Sequence, residues 1–150
     1  MKPASTISTL FGIGYAPAAP GTVASLAALP LAWLLSWIGG PWWLGIGAVA
    51  VSAIGIWSCG VHVRETGKTD PSECVIDELA GQWIACLAAP LSLPGYAVAF
   101  AAFRLFDIAK PWPVSAAERA PGGWGVMADD IVAGIFAGAI VAVLRWTGLI

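Results

Sequence analysis

Thr22-Val-Ala-Ser-Leu-Ala-Ala-Leu-Pro-Leu-Ala-Trp-Leu-Leu-Ser-Trp-Ile38 contains no charged side chain. Its length suits a membrane-spanning helix, kinked where Pro30 removes a backbone donor. Thr22 reads as the N-cap, preceded by an irregular approach over residues 1–21. Gly39-Gly40-Pro41 reads as a turn, and Trp42 to Cys59 is a second uncharged run of spanning length. Working outward, Ile131 to Ile150 is a third, interrupted only by Arg145. Leu79–Ala89 and Tyr96–Phe103 are shorter and flank the turn Pro90-Leu-Ser-Leu-Pro94-Gly95, so they read as a tight helical hairpin. Residues 60–76 and 104–130 are the two polar stretches, the first read as a loop with a short helix. The expected fold is all-α: a small polytopic membrane protein with about three full spans plus a short helical hairpin, in a single domain covering 1–150.

Composition supports that solvent. The chain is 59% hydrophobic and 11% charged, where a soluble domain has roughly a quarter charged residues. So few charges cannot cover a globule of this size with polar groups. The net charge of −2 and the lack of a basic run argue against a nucleic-acid partner. Cys59, Cys74 and Cys86 form no C-x-x-C pair, and Cys59 and Cys86 read as small core residues. The first twenty residues lack the apolar stretch of a signal peptide. With these spans, Lys2, Arg64, Lys68, Arg104, Lys110 and Arg119 fall on one side and Arg145 on the other. The positive-inside rule makes the first side cytoplasmic. Trp37, Trp42, Trp43 and Trp146 fall near one interface, and Trp57, Trp112 and Trp124 near the other.

Four motifs gather on the basic side. In Pro20-Gly21-Thr22-Val-Ala-Ser25, glycine permits close approach, and the hydroxyls and helix start suit an anion; an ordinary cap is the plainer reading. Asp77-Glu78 places two carboxylates at the mouth of an apolar helix, with Gly81 one turn on allowing a neighbour close; acids complementing the dipole are the plainer reading. Phe103-Arg104-Leu-Phe106-Asp107-Ile-Ala-Lys110-Pro111 puts Arg104 and Asp107 on one face of a helix that ends near Ala109, with Lys110 in an extended exit. Gly122-Gly123-Trp-Gly125-Val-Met127-Ala-Asp129-Asp130 reads as a flexible glycine loop, with both acids in the first turn of the last span. Asp130, Gly134 and Gly138 share a stripe on which another helix can pack.

Hard carboxylate oxygens without a His or Cys cluster suit Mg²⁺, which completes its shell with water and phosphate. The metal set is Asp77, Glu78, Asp107, Asp129 and Asp130. Gly21, Thr22, Ser25, Arg104 and Lys110 are the phosphate-binding set. Asp77, Glu78, Asp107, Lys110 and Asp130 are the catalytic candidates. Which carboxylate ligates, acts as base or attacks is left open by the residues. The chemistry expected is metal-assisted phosphoryl transfer on a lipid head group at the bilayer surface. Other routes lack their parts. The residues six positions after the cysteines are Glu65, Ala80 and Ser92 rather than Arg. His62 stands alone in a polar segment, and no P-loop sequence is present.

Taken in order, Pro20-Gly21-Thr22-x-x-Ser25-Leu26, Asp77-Glu78-x-x-Gly81, Phe103-Arg104-x-Phe106-Asp107-x-x-Lys110-Pro111-x-Pro113 and Gly122-Gly123-x-Gly125-x-Met127-x-Asp129-Asp130 resemble the phosphatidylglycerophosphatase A family. The resemblance implies an all-helical, Mg²⁺-dependent hydrolase of the bacterial inner membrane. Its substrate would be phosphatidylglycerophosphate, converted to phosphatidylglycerol and phosphate. Where members of that family carry a His-Asp pair, this chain has Lys68-Thr69-Asp70-Pro71, so Asp70 is given no role. The alternative from another class is a small ion or proton transporter, which requires acids spread through the depth of the membrane.

Overall fold

The structure is a computed structural model that describes residues 2–150. It is all-helical: α1 (Pro3–Ser8), a 3₁₀ turn (Ile13–Tyr15), α2 (Pro20–Thr66), α3 (Ile76–Cys86), α4 (Leu93–Ala109), α5 (Val114–Ala117) and α6 (Gly123–Trp146). There is no strand among the described residues.

The helix α2 is two arms, 20–38 and 41–66, because Gly39 and Gly40 leave helical geometry. Gly40 has φ 67°, a conformation that costs glycine nothing and β-carbon residues a good deal. The arms fold back on each other, and a β-carbon on Gly47 would press on Leu35 at 3.2 Å. The expected uncharged runs 22–38 and 42–59 therefore lie on either side of the break, and the third lies in α6. Among the described residues, α2 and α6 are the helices long and apolar enough to cross a membrane.

The hairpin turn falls earlier than expected, since α3 ends at Cys86 and α4 begins at Leu93, and three further boundaries differ. First, α2 begins at Pro20, whose fixed φ suits a first helical position, so Thr22 lies inside the helix. Second, its second arm runs through the expected loop to Thr66 and stops where Gly67 takes a left-handed cap (φ 70°). Two of its polar residues find distant partners there: Lys2 reaches Glu65 at 2.9 Å, and buried His62 meets Ser5 Oγ at 3.0 Å and Glu73 Oε1 at 3.4 Å. Third, α6 starts at Gly123, so Asp129 and Asp130 lie in its second turn. The glycines of that motif serve close contact more than flexibility: a β-carbon on Gly123 would run into the Ile56 carbonyl.

Alanines dominate the shared core, with Ala28, Ala32, Ala48, Ala85, Ala99, Ala133 and Ala137 packed around Leu44, Trp83 and Phe103. Small residues let helices approach closely where burial of large side chains is not the driving force. Trp83 donates its indole N–H to the Ala28 carbonyl at 3.0 Å. At the end of the bundle away from the acids, Tyr96 Oη meets Ser36 Oγ at 3.1 Å and Arg145 donates to the Ala88 carbonyl at 3.2 Å. Trp37, Trp42, Trp43, Trp57, Trp112, Trp124 and Trp146 are exposed, as are Leu34, Ile46, Val49, Ile135 and Val143 between them. A contiguous apolar outer surface of this kind calls for a partner or a membrane.

Candidate active site

Glu78 is the centre from which the site builds outward. It sits in the first turn of α3 and is buried. Its Oε2 accepts from Ser25 Oγ at 2.7 Å and from Arg104 Nη1 at 2.5 Å. A β-carbon on Gly21 would collide with Glu78 Oε1, so the Pro20–Ser25 motif seats this carboxylate against the start of α2. The same Arg104 Nη1 reaches Asp107 Oδ2 at 2.7 Å, one helical turn along α4. Asp130 closes the group from α6: Glu78, Asp107 and Asp130 each offer an oxygen within 4.8 Å of the others.

All five predicted carboxylates line one cavity of about 150 Å³, together with Gly21 and Lys110. Asp77 is at its wall but outside the close triad, with Oδ1 accepting the Glu78 N–H at 2.9 Å. Lys110 Nζ lies 2.8 Å from Asp129 Oδ2 and 3.2 Å from Glu118 Oε1. Burial by itself would lower the Lys110 pKa, but hydrogen bonds and charge from Asp129 and Glu118 outweigh it and raise it above the ordinary lysine range. Lys110 is not extended as expected. It caps α4 in the left-handed conformation (φ 43°), its N–H still bonded to the Phe106 carbonyl at 2.9 Å. That cap ends the helix ahead of Pro111 and leaves Lys110 in reach of α6.

The charge balance around the cavity is uneven: those five carboxylates and that of Asp70 stand against Arg104 and Lys110. Asp129 Oδ1 and Asp130 Oδ2 are buried and lack a hydrogen-bond partner. Buried anionic oxygens left unpaired are costly unless a cation meets them. Three converging hard oxygens, with excess negative charge behind them, form a donor set suited to a divalent cation.

The structure gathers most of the predicted residues but not in one role. Ser25 touches Glu78, and its single hydroxyl proton is shared between that carboxylate and the Gly21 carbonyl at 3.0 Å. Thr22 is half-buried and does not line the cavity. Arg104 meets carboxylates on Nη1, while its Nε is buried without a partner. Three residues at or beside the site carried no expected role: Glu118, which shares Lys110, and Asp70 and Cys74, which line the cavity wall. The segment holding Asp70 and Cys74 had no apolar period to place it. Glu118 had no motif around it.

These features define a helical protein whose acid-lined cavity, set at one end of an apolar bundle, suits a cation and a phosphate. The acids gather at that one end and are not distributed along the bundle, which disfavours the transporter alternative. The phosphatidylglycerophosphatase A family model matches residues 6–145, and this chain belongs to that family. It is 38% identical over 134 residues to phosphatidylglycerophosphatase A of Escherichia coli, covering 87% of this chain and 77% of that protein. It is 35% identical over 149 residues to phosphatidylglycerophosphatase A of Haemophilus influenzae, covering 97% and 91%. A Bacteroides thetaiotaomicron protein provisionally named a phosphatidylinositol-3-phosphatase is 40% identical over 147 residues, covering 93% and 92%. No solved structure matches the chain. The chain is accordingly a phosphatase.

Proposed function

We propose that the protein hydrolyses the terminal phosphomonoester of phosphatidylglycerophosphate in a Mg²⁺-dependent reaction, giving phosphatidylglycerol and inorganic phosphate. The observation that carries this reading is the convergence of five carboxylates and Lys110, drawn from α3, α4, α6 and the turn after α4, on one small cavity. Glu78, Asp107 and Asp130 would hold the ion, which when bound neutralises phosphate charge and acts as a Lewis acid on a phosphoryl oxygen. Asp129 and Asp77 complete the acidic wall.

The chain's own residues have distinct work. Lys110 offers its ammonium to a non-bridging phosphate oxygen, exchanging part of its contact with Asp129 and Glu118 for that anion. Arg104 keeps Glu78 and Asp107 together and balances part of their charge. Ser25 and Gly21 fix Glu78 at the start of α2, where Gly21 lines the cavity. Asp77 has no cation paired to it and is the group we assign to accept the proton of the attacking water. The water oxygen bonds to phosphorus, the phosphorus–oxygen bond to the glycerol breaks, and the proton passes on to the leaving alkoxide.

The exposed apolar belt supports seating in the bacterial inner membrane, with the acid-lined end on the cytoplasmic side where six of seven basic residues lie. The direct test is phosphate release from the lipid, with and without Mg²⁺, for wild type and Asp130→Asn. A fall of at least about a hundredfold in the variant is expected, because the ion that Asp130 would help hold supplies several kcal/mol of charge stabilisation. Undiminished release would remove Asp130 from the chemistry.

A further inference from the structure

The cavity has walls of two kinds. Towards α3, α6 is sealed by main chain: a β-carbon on Gly81 would press on the Asp130 carbonyl, and one on Gly134 on the Gly81 carbonyl. Towards α4, the closure is made by side chains. Phe106 lies in the last turn of α4, and Lys110 is the cap that ends the helix. Lys110 reaches across to Asp129, and Phe106 reaches Phe136 with ring centroids 5.7 Å apart. Directly outside that aromatic pair runs a groove of about 370 Å³, lined by Phe106, Phe136, Ala139, Ile140, Val143 and Leu144, with almost no polar surface. It begins one residue from Asp107 and follows α6 away from Asp130 towards the opposite end of the bundle.

We infer that the groove between α4 and α6 holds an acyl chain of the lipid substrate, whose head group enters the cavity past Lys110 and the Phe106–Phe136 pair. A larger apolar groove of about 800 Å³ runs along the second arm of α2, from Trp42 to Trp124. Its Ile56 and Ile131 pack on the buried core of Cys59, Ile76, Ala80 and Met127, and neither Lys110 nor an aromatic pair borders it. The α4–α6 groove joins the site through rotatable side chains, and its lining matches a hydrocarbon chain and nothing polar. An amphiphile with phosphate at one end fits this succession of acid cavity, cation, aromatic pair and apolar trough.

This inference rests on the lipid phosphatase reading. The test compares dioleoyl and dihexanoyl phosphatidylglycerophosphate in detergent micelles, for wild type, Ala139→Leu, Ile140→Trp and the control Ala53→Trp in the other groove. Ala139 and Ile140 are exposed, so larger side chains fill the trough without invading the core. Filling the space of about two methylenes should raise KM for the dioleoyl lipid about tenfold. The expected result leaves kcat unchanged, leaves the dihexanoyl substrate within about twofold, and leaves Ala53→Trp like wild type. Equal loss on both substrates, no loss on either, or loss confined to Ala53→Trp would overturn the assignment. Absence of phosphate release from both lipids by wild type would instead overturn the activity on which it rests.

Discussion

The seams that α6 makes with α3 and with α4 both border the same acids, yet they are built from opposite materials. At α3 the glycines at 81 and 134 bring carbonyl oxygens and main chain into contact, and Gly138 continues the crossing, where a β-carbon would meet the Ile84 carbonyl at 3.3 Å. At α4 the spacing is held by Lys110, Asp129, Phe106 and Phe136. The first seam fixes where Glu78 and Asp130 stand relative to each other. The second can be rearranged by rotating side chains at modest cost. A hydrolase acting on lipid needs both: fixed carboxylates and a yielding side.

Substitutions can break that contrast. Gly81→Val should have the largest effect, because Phe103 and the Asp130 carbonyl leave no room for the added carbons. A loss of about 3 kcal/mol or more is expected for overpacking against main chain. Thermal melting in detergent would show it as a large fall in Tm with loss of activity. Lys110→Ala should act on the other seam, lowering phosphate release about a hundredfold while Tm changes little. A matching collapse of Tm would place Lys110 among the structural supports instead.

The smallest effect is expected away from both seams, at the His62–Glu73–Lys68 cluster. The Lys68 hydrogen bond holds the Glu73 carboxyl below its ordinary value of 4.5; burial pulls the other way, and His62 and the Lys68 charge reinforce the lowering. A depressed carboxyl stabilises the fold above its unfolded pKa, and that contribution fades as pH falls through the lower folded value. Melting curves of wild type and Lys68→Ala should therefore differ slightly at neutral pH and converge as pH falls through the lowered Glu73 pKa. A gap that persisted in acid would assign the difference to packing.

Much of this was legible in the sequence because it rests on spacing. The uncharged runs give the helical arms, Gly39-Gly40-Pro41 gives the reversal, and Asp130, Gly134 and Gly138 give the tight face of α6. Where the reading went astray, long-range contact decided the matter. Residues 60–66 carry His62, Arg64 and Glu65 and look like a loop, but Ser5, Glu73 and Lys2 supply partners from distant segments and the helix continues. The glycines at 123 and 125 look flexible, but each leaves room for a carbonyl, of Ile56 and Ala120, which the local sequence cannot reveal. Thr22 looks like a cap, but Pro20 starts the helix two residues earlier. The acids were identifiable by type. Their grouping of Glu78, Asp107 and Asp130 in a close triad, with Asp77 and Asp129 beside it, required the helix crossings.

The most direct measurement is Mg²⁺ binding by isothermal titration calorimetry to the detergent-solubilised protein, comparing wild type with Glu78→Gln, Asp107→Asn and Asp130→Asn. If these three side chains hold one ion, wild type binds Mg²⁺ and each variant loses at least about tenfold in affinity, since each removes one of very few protein ligands. Equal affinity in all four proteins, or binding in none, would contradict a shared metal site at the meeting point of α3, α4 and α6.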